Sequence, residues 1–433
     1  MNMKVVAILP AKGTSERIES KNMKLLNGKP LFLHTLEKLC ECSFFDEVYL
    51  DTDSEEMLSY ADYLPYKPLQ RAPELATNRA SGNMVFMNEV DRIEADIYVQ
   101  IFATTPFIKK ETIKRGIEIV ATGSEYDSAI LVRKEKLYRI EGNQPVYPKD
   151  NVPNSVTLPD TVSDTMGLYI IRRESAVKGK NRYGFNPYLL EADPVEAIDI
   201  NYVGDFELAE HVAKSMWHEE SHRLQTSAHF FNSSIFADIL FDYKVDGVIA
   251  GHLLNLPDRK IFGRANTLKI RRLKDGEEKS GIYRTYETYR NIREGEIIVV
   301  ENEFADRAYF GELNSNLAMR AGAAGTIVSG VTRDIEAVNR LGYPVFSMGY
   351  SCADIRGISN LESHNKPVKI KGVTICPGNL IFGDINGIVV IPKNIEEEVL
   401  QKAADTIRLE KNILDRVLGN EDAFDIYKQV GEF

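Results

Sequence analysis

The chain has 433 residues, 43% of them hydrophobic and 27% charged, with a net charge of −11. A single hydrophobic core seldom grows past roughly 250–300 residues, so two domains are expected, and the composition excludes a disordered chain or a fibrous repeat. The acidic total disfavours nucleic acid or a membrane surface as a bulk partner, while a local basic pocket could still hold a phosphate.

In chain order, Val5–Leu9 is the first predicted strand. It is too short for a signal peptide, and Lys12 and Arg17 follow it. A helix is expected from Pro30 to Leu39, with Leu31, Phe32, Leu36 and Leu39 as its apolar positions. Further strands are predicted at Glu47–Leu50, Ile97–Phe102, Ser128–Val132 and Gly167–Ile171. Strands separated by helices imply a mostly parallel α/β sheet covered on both faces, with ligands at the carboxyl ends of its strands. A helix over Phe206–Ala213 precedes the polar stretch Trp217–Arg223. Residues 217–227 therefore read as a linker between a domain at 1–216 and a second at 228–433. In or beside it, His218, His222 and His229 read as a solvated turn rather than a metal site. The second α/β pattern places strands at Val245–Ala250, Glu296–Glu301, Gly325–Gly330 and Gly387–Pro392. It ends on a helix from Ile395 to Leu414. Cys40, Cys42, Cys352 and Cys376 have neither zinc nor CxxC spacing, which points to reduced thiols in a cytoplasmic protein. No apolar run is long enough for a membrane span.

Two segments carry chemistry. After the first strand, Gly13, Thr14 and Ser15 stand among Lys12, Arg17 and Lys21. Small residues let backbone N–H groups approach a phosphate, and the cations neutralise it. The Walker pattern is absent, and an ordinary basic surface turn is an equal reading of these residues alone. In the second half, Gly311 precedes a helical run that ends at Gly322 and Gly325. A helix N-terminus there would offer N–H groups to an anion. Arg333 beside Asp334, after a strand, can divide labour between an anionic substrate and a metal. In isolation, a surface ion pair is the simpler reading of that dipeptide.

The first segment and its successors resemble the sugar-acid cytidylyltransferases, the family of the CMP-sialic acid synthetases. The matching text is Leu9–Asn22, Leu26–Leu31, Val48–Glu56, Arg71–Thr77, Ala103–Phe107 and Ala197–Phe206, in that order, over roughly residues 3–213. The resemblance implies a Rossmann-like nucleotidyltransferase domain. In it, a sugar-acid hydroxyl attacks the α-phosphorus of CTP and pyrophosphate leaves. It implies that Lys12 and Lys21 hold phosphates, that Ser15, Arg17 and Asn22 lie close to the nucleotide, and that Arg71 sits near the base or phosphates. Asp199, with Asn201, would hold Mg2+ or another divalent cation such as Mn2+. Asp199 could instead cap the helix that starts near Asp205. Three positions depart from the family pattern. Lys12 replaces an arginine, Phe102 stands where a glutamine is frequent, and Asn201 replaces an aspartate.

The second half resembles the family of 4-hydroxy-4-methyl-2-oxoglutarate/oxaloacetate aldolases and the regulator of ribonuclease activity A. The resemblance rests on Gly263–Thr267, Glu294–Val300, Gly311–Leu313, Gly330–Asp334, Pro344–Phe346, Cys376–Asn379 and Gly383–Pro392. It covers roughly residues 228–430 and implies an aldolase-like α/β domain of the swivelling-domain type. It implies that Asp334 binds a divalent metal, that Arg333 binds substrate and stabilises an enolate, and that the amides of Leu313 and Asn314 hold a pyruvate carboxylate. Glu312 would lie next to a catalytic water, and Glu410 matches an acid that reaches a neighbouring subunit's site. Asn379 replaces a frequent aspartate and reads as a turn residue.

Together the halves imply a bifunctional enzyme. One half activates a ulosonic or nonulosonic acid with CTP. The other performs metal-dependent aldol chemistry on pyruvate, oxaloacetate or a related 2-keto acid. In the competing reading the second half is a non-catalytic oligomerisation or regulatory module. Relatives of the two halves form trimers and dimers, so a homo-oligomer, trimer or hexamer, is expected. No nucleic acid or membrane partner is expected.

Overall fold

A computed structural model describes residues 3–431, except 78, 123 and 124. It divides into two compact units, Met1–Lys214 and Ser215–Phe433.

The first unit is built on a seven-stranded sheet. From one edge its strands are Pro187–Glu191, Ser128–Glu135, Thr161–Arg172, Ile97–Ile101, Val5–Pro10, Glu47–Thr52 and Lys67–Gln70. Successive side chains of a strand point to opposite faces, so a strand buried on both sides must be apolar throughout. Val5–Pro10 meets that demand. Val5, Ala7 and Leu9 pack with Phe32, Leu36 and Leu39 on one face, while Val6 and Ile8 pack with Phe86, Val90 and Tyr98 on the other. The first helix, Leu31–Cys40, supplies the first of these faces. The sheet is mostly parallel, as predicted, with one exception. Thr161–Arg172 runs antiparallel to both neighbours, the strands Ile97–Ile101 and Ser128–Glu135. Apolar content tells that a strand is buried but not which way it runs.

Lys38 ties the first helix to the end of strand Ile97–Ile101. Its ammonium group donates to the carbonyls of Pro106 and Ile108 at 2.7 and 2.6 Å, and burial lowers its pKa to about 8. Cys40, Cys42 and Cys352 are free thiols. Burial pushes the Cys40 and Cys42 thiols up to about 12 and about 11, which suits packed rather than reactive sulfur.

The segment read as a linker is not one. Residues 217–227 belong to one continuous helix, Val203–Ser227. Its polar surface imitates a linker, but the chain there also has cross-element partners. Trp217 Nε1 donates to the Glu294 carbonyl at 2.8 Å, the Arg293 guanidinium lies 3.6 Å from the Trp217 ring, and His218 pairs with Glu294 at 2.8 Å. His218 and His222 therefore sit on a helix, not in a turn.

In the second unit, four parallel strands run side by side: Ile261–Arg272, Ile297–Asn302, Gly325–Val328 and Val345–Ser347. The free edge of the long strand Ile261–Arg272 is shared. Leu380–Asp384 pairs with its start and Ser359–His364 with its end, both antiparallel. Gly387–Ile391 extends the sheet, and the strand predicted at Val245–Ala250 shrinks to Val248–Ile249. The long strand escaped the apolar-run criterion because Gly263, Arg264, Asn266 and Lys269 interrupt it. Arg264 is held by Glu220 and Glu396. The helix predicted to end the chain spans Glu396–Leu418, four residues beyond its predicted end, and a further helix, Ala423–Val430, follows it. Asn379 takes its predicted place in a turn, its side-chain oxygen accepting the Cys376 N–H at 2.9 Å.

His364 offers a test of this packing. Its Nε2 lies 3.0 Å from Asn266 Oδ1, Asn266 donates to Glu296, and Glu296 is clamped by Arg293. Burial lowers the His364 pKa from 6.5 to about 4. Between those values the unfolded chain takes a proton that the folded chain refuses. The contribution is therefore complete above pH 6.5 and is lost as pH falls toward 4. One pKa unit is about 1.4 kcal/mol, so the loss is on the order of 3 kcal/mol. Urea melts from pH 7 to pH 4 are expected to show a shallower acid slope in His364→Gln than in the parent chain.

Candidate functional site

A cavity of about 430 Å³ opens in the first unit at the carboxyl ends of strands Val5–Pro10 and Ile97–Ile101. Lys12, Ser15, Arg17, Lys21, Asn22 and Arg71 all line it, so the structure brings the six predicted nucleotide residues together. The loop that carries five of them is held by its neighbours. The Gly13 N–H donates to Asp53 at 2.8 Å, the Ala11 N–H to the Asp51 carbonyl at 2.9 Å, and the Asn22 amide to the Lys12 carbonyl at 2.9 Å. Asn22 Oδ1 is buried against the cavity wall without a partner. An orphaned acceptor costs free energy unless a ligand donor reaches it.

Lys21 is the most constrained cation. It is buried, and its ammonium group donates to the Ile200 carbonyl at 2.7 Å. Desolvation lowers its pKa, while the Asp199 carboxylate opposes that shift. Lys21 thus links the basic loop to the Asp199 segment. Asp199 and Asn201 are side by side, the Asn201 amide donating to the Asp199 carboxylate. They stand beyond the residues that line the cavity. The helix cap expected of Asp199 belongs to Asp205, which accepts the N–H groups of Asn201 and Tyr202 at 2.9 and 2.8 Å. The Asp199 carboxylate suits a hard cation that keeps water or phosphate as its other ligands.

Arg71 lines the cavity but already has a partner. Its guanidinium is buried and committed to Asp51, with Nη2 2.7 Å from Oδ2 and Nε 3.1 Å from Oδ1. Its charge is balanced inside the protein before any ligand arrives. The network continues to Glu89 and Gln100. Gln100 Nε2 donates to Glu89 at 2.7 Å, and Arg182 donates to Gln100 Oε1 at 3.4 Å. Burial, with Asp51 adding to it, raises the pKa of Glu89 well above the usual carboxylate range. Gln100 lines the cavity together with Phe102. Sequence reasoning missed Gln100, although a glutamine inside an otherwise apolar, fully buried strand is a usable signal.

In the second unit a cavity of about 200 Å³ is lined by Gly311, Leu313, Asn314, Arg333, Asp334 and Asp354, among others. The helix Glu312–Ala321 points its first turn at it. The N–H groups of Leu313 and Asn314 belong to that turn and have no acceptor within the helix. Gly311 is required by close approach: a Cβ there would lie 2.6 Å from Asp334 Oδ2. Asp334 holds a left-handed backbone, φ 56°, an unusual conformation that often marks functional positions. Its Oδ2 accepts the Glu312 N–H at 3.3 Å and lies 3.4 Å from Arg333 Nε. The Arg333 Nη1 donates to Asp354 at 2.7 Å. Asp354 thus joins the predicted pair and was missed, because it lies 20 residues from Asp334 in a loop. Glu312 is exposed at the helix start. Glu410 is exposed on the helix Glu396–Leu418 and is not among the residues lining this cavity. Among the described residues, no cluster of three or more His, Cys, Asp or Glu could hold a metal. Asp334 fits a metal only as a single carboxylate, with water and substrate completing the shell. No helix among the described residues is long and apolar enough to cross a membrane.

Comparison with known proteins places both cavities in families. The Cytidylyltransferase model matches residues 6–150, and the Aldolase/RraA model matches residues 235–390. A Halalkalibacterium halodurans protein named for 4-hydroxy-4-methyl-2-oxoglutarate aldolase is 40% identical over 131 residues, 29% of this chain and 61% of its own. An uncharacterized protein of Methanocaldococcus jannaschii is 31% identical over 166 residues, 38% of this chain and 77% of its own. The pseudaminic acid cytidylyltransferase of Campylobacter jejuni is 34% identical over 122 residues, 27% of this chain and 53% of its own. The chain thus spans less than two thirds of the two relatives whose names carry an activity. It carries a Cytidylyltransferase region at residues 6–150 and an Aldolase/RraA region at residues 235–390.

Proposed function

We propose that the first unit transfers a cytidylyl group from CTP to a sugar acid of the ulosonic or nonulosonic class. The observation that carries this reading is the convergence of Lys12, Arg17 and Lys21 on one cavity at the strand ends. An acceptor hydroxyl attacks the α-phosphorus, the bond to the bridging oxygen breaks, and pyrophosphate leaves with the electron pair. The cations neutralise charge that grows on the phosphate oxygens, and the rigid loop keeps attacker and phosphorus in line. A magnesium or manganese ion at Asp199 and Asn201 would supply further charge neutralisation on the phosphates. Calorimetric titration with CTP tests the pocket directly. Binding is expected for the parent chain and is expected to weaken in Lys12→Ala, and binding indifferent to that change would remove the loop from the site.

For the second unit we propose aldol-type chemistry on a 2-keto acid. The carboxylate sits on the Leu313 and Asn314 amides, and Arg333 stabilises the enolate that forms when the bond between C3 and C4 breaks. The C4 hydroxyl gives up its proton through a water beside Glu312, and C3 is then protonated. A divalent metal on Asp334 would polarise the keto oxygen. Oxaloacetate provides the simple case: it loses carbon dioxide, and the same enolate is protonated to pyruvate. Oxaloacetate with magnesium is expected to release pyruvate, and no release would favour the assembly-module reading. Because a methyl group at position 311 would displace Asp334, Gly311→Ala is expected to lower that rate by ~100-fold, as a 1 Å misplacement does. Pyrophosphate release by the first unit serves as the check on folding. A homo-oligomer, trimer or hexamer, could bring Glu410 of one copy toward the cavity of another.

A further inference from the structure

The Arg333 cavity has a wall that a pyruvyl group leaves unused. Tyr283 and Tyr286 line it, both substantially exposed, with ring centroids 5.8 Å apart and planes tilted by 42°. They come from a run of short helical turns, Gly281–Arg284, Thr285–Thr288 and Tyr289–Asn291. In tight helical turns residues three apart stack along one stripe. Tyr283, Tyr286 and Tyr289 follow that spacing. Tyr289 is buried in the core and anchors the stripe, while the first two face the cavity. Asp354 completes the wall. One oxygen accepts Arg333 Nη1 at 2.7 Å and the other accepts the Arg356 N–H at 2.9 Å.

This is carbohydrate-binding chemistry. The negative faces of aromatic rings accept the C–H faces of a sugar chain. Phenol hydroxyls both donate and accept, and a carboxylate accepts, so together they pair with a row of hydroxyls. The arginines lining this cavity are Arg333 and the exposed Arg356, so a second substrate carboxylate must compete with protein carboxylates for Arg333 or reach Arg356. Arg333 is already flanked by Asp334 and Asp354, and Glu312 stands at the adjacent helix start. Burial also raises the pKa of Tyr286, with Asp354 adding to the shift, which keeps that hydroxyl protonated and able to donate.

Resting on the aldol-type reading above, we infer that Tyr283, Tyr286 and Asp354 form a polyol subsite, and that the second unit takes a monocarboxylic 2-keto-3-deoxy sugar acid rather than a 2-keto dicarboxylate. This departs from the dicarboxylate in the name of the Halalkalibacterium relative. The bond that breaks is again C3–C4, giving pyruvate and a polyhydroxy aldehyde.

The test compares pyruvate release by the full chain, with magnesium, from 2-keto-3-deoxygluconate, 4-hydroxy-2-oxoglutarate and oxaloacetate. The sugar acid is expected to exceed 4-hydroxy-2-oxoglutarate in kcat/KM by about tenfold or more. Tyr283→Ala/Tyr286→Ala is expected to erase that preference, and Tyr286→Phe to reduce it. Both rings are exposed, so these variants should fold. A preference for the dicarboxylate, or one that the double variant leaves in place, overturns the subsite. Pyruvate from none of the three, oxaloacetate included, overturns the catalytic reading instead. Calorimetry then decides the subsite, using only the binding component that the double variant changes. That component must favour 2-keto-3-deoxygluconate over 2-oxoglutarate, and the reverse order overturns it.

Discussion

Lys21→Ala is expected to lower CTP-dependent pyrophosphate release by ~10²–10³, the scale of removing one preorganised donor from a developing negative charge. Two effects add. A buried ammonium group leaves the cavity, and the Ile200 carbonyl loses its donor at 2.7 Å, which loosens the segment that carries Asp199. The variant is therefore expected to need more magnesium for half-maximal rate as well as turning over more slowly. Lys21→Arg keeps the charge but not the compact fit of an ammonium group, and is expected to fall between the two. Steady-state rates over a magnesium series check this. An unchanged kcat/KM in Lys21→Ala would remove Lys21 from the site.

The second large effect is expected at Asp334. Asp334→Ala should reduce magnesium-dependent pyruvate release from oxaloacetate by ~10³ or more, because the carboxylate proposed to hold the metal is gone and Asp354, the other carboxylate lining the cavity, is already held by Arg333. Alanine also strains the left-handed backbone at this position, φ 56°. Asn adopts that conformation readily, so Asp334→Asn separates fold from chemistry. Asp334→Asn is expected to melt with the parent chain yet lose the same activity. An Asn variant that retains the rate would show that the carboxylate charge is not used.

How much of this was legible in the sequence depends on distance along the chain. The strand Val5–Pro10 and the loop after it could be read because the apolar run and the cations are contiguous. Arg333 and Asp334 could be read for the same reason. Partners set by tertiary folding could not. Nothing near Arg71 announces that Asp51 will hold its guanidinium, since the two meet only when neighbouring parallel strands bring them together. Asp354 reaches Arg333 through a loop, and Gln100 meets Glu89 across the strand–helix packing. The polar surface of residues 217–227 looked like a linker because exposed helices and linkers share composition. What separates them is the partners Glu294 and Arg264, far away in sequence. The direction of Thr161–Arg172 was equally hidden, because a doubly buried strand has the same composition whichever way it runs.

The three departures noted at Lys12, Phe102 and Asn201 now have a structural context. Lys12 still lines the cavity as a cation. Phe102, just past the strand Ile97–Ile101, packs edge-on against Tyr169 with centroids 6.3 Å apart, and Gln100 within that strand brings an amide to the cavity wall. Asn201 turns its amide N–H toward the Asp199 carboxylate, where an aspartate would add a second negative charge.

The central claim is that the first cavity joins CTP to a sugar acid, and pyrophosphate release measures it most directly. The full chain, with magnesium, should be incubated with CTP and a panel of ulosonic and nonulosonic acids. Release with at least one acid, absent without an acid and absent with ATP in place of CTP, is the predicted result. Release that ignores the acid, or none across the whole panel, would contradict the account.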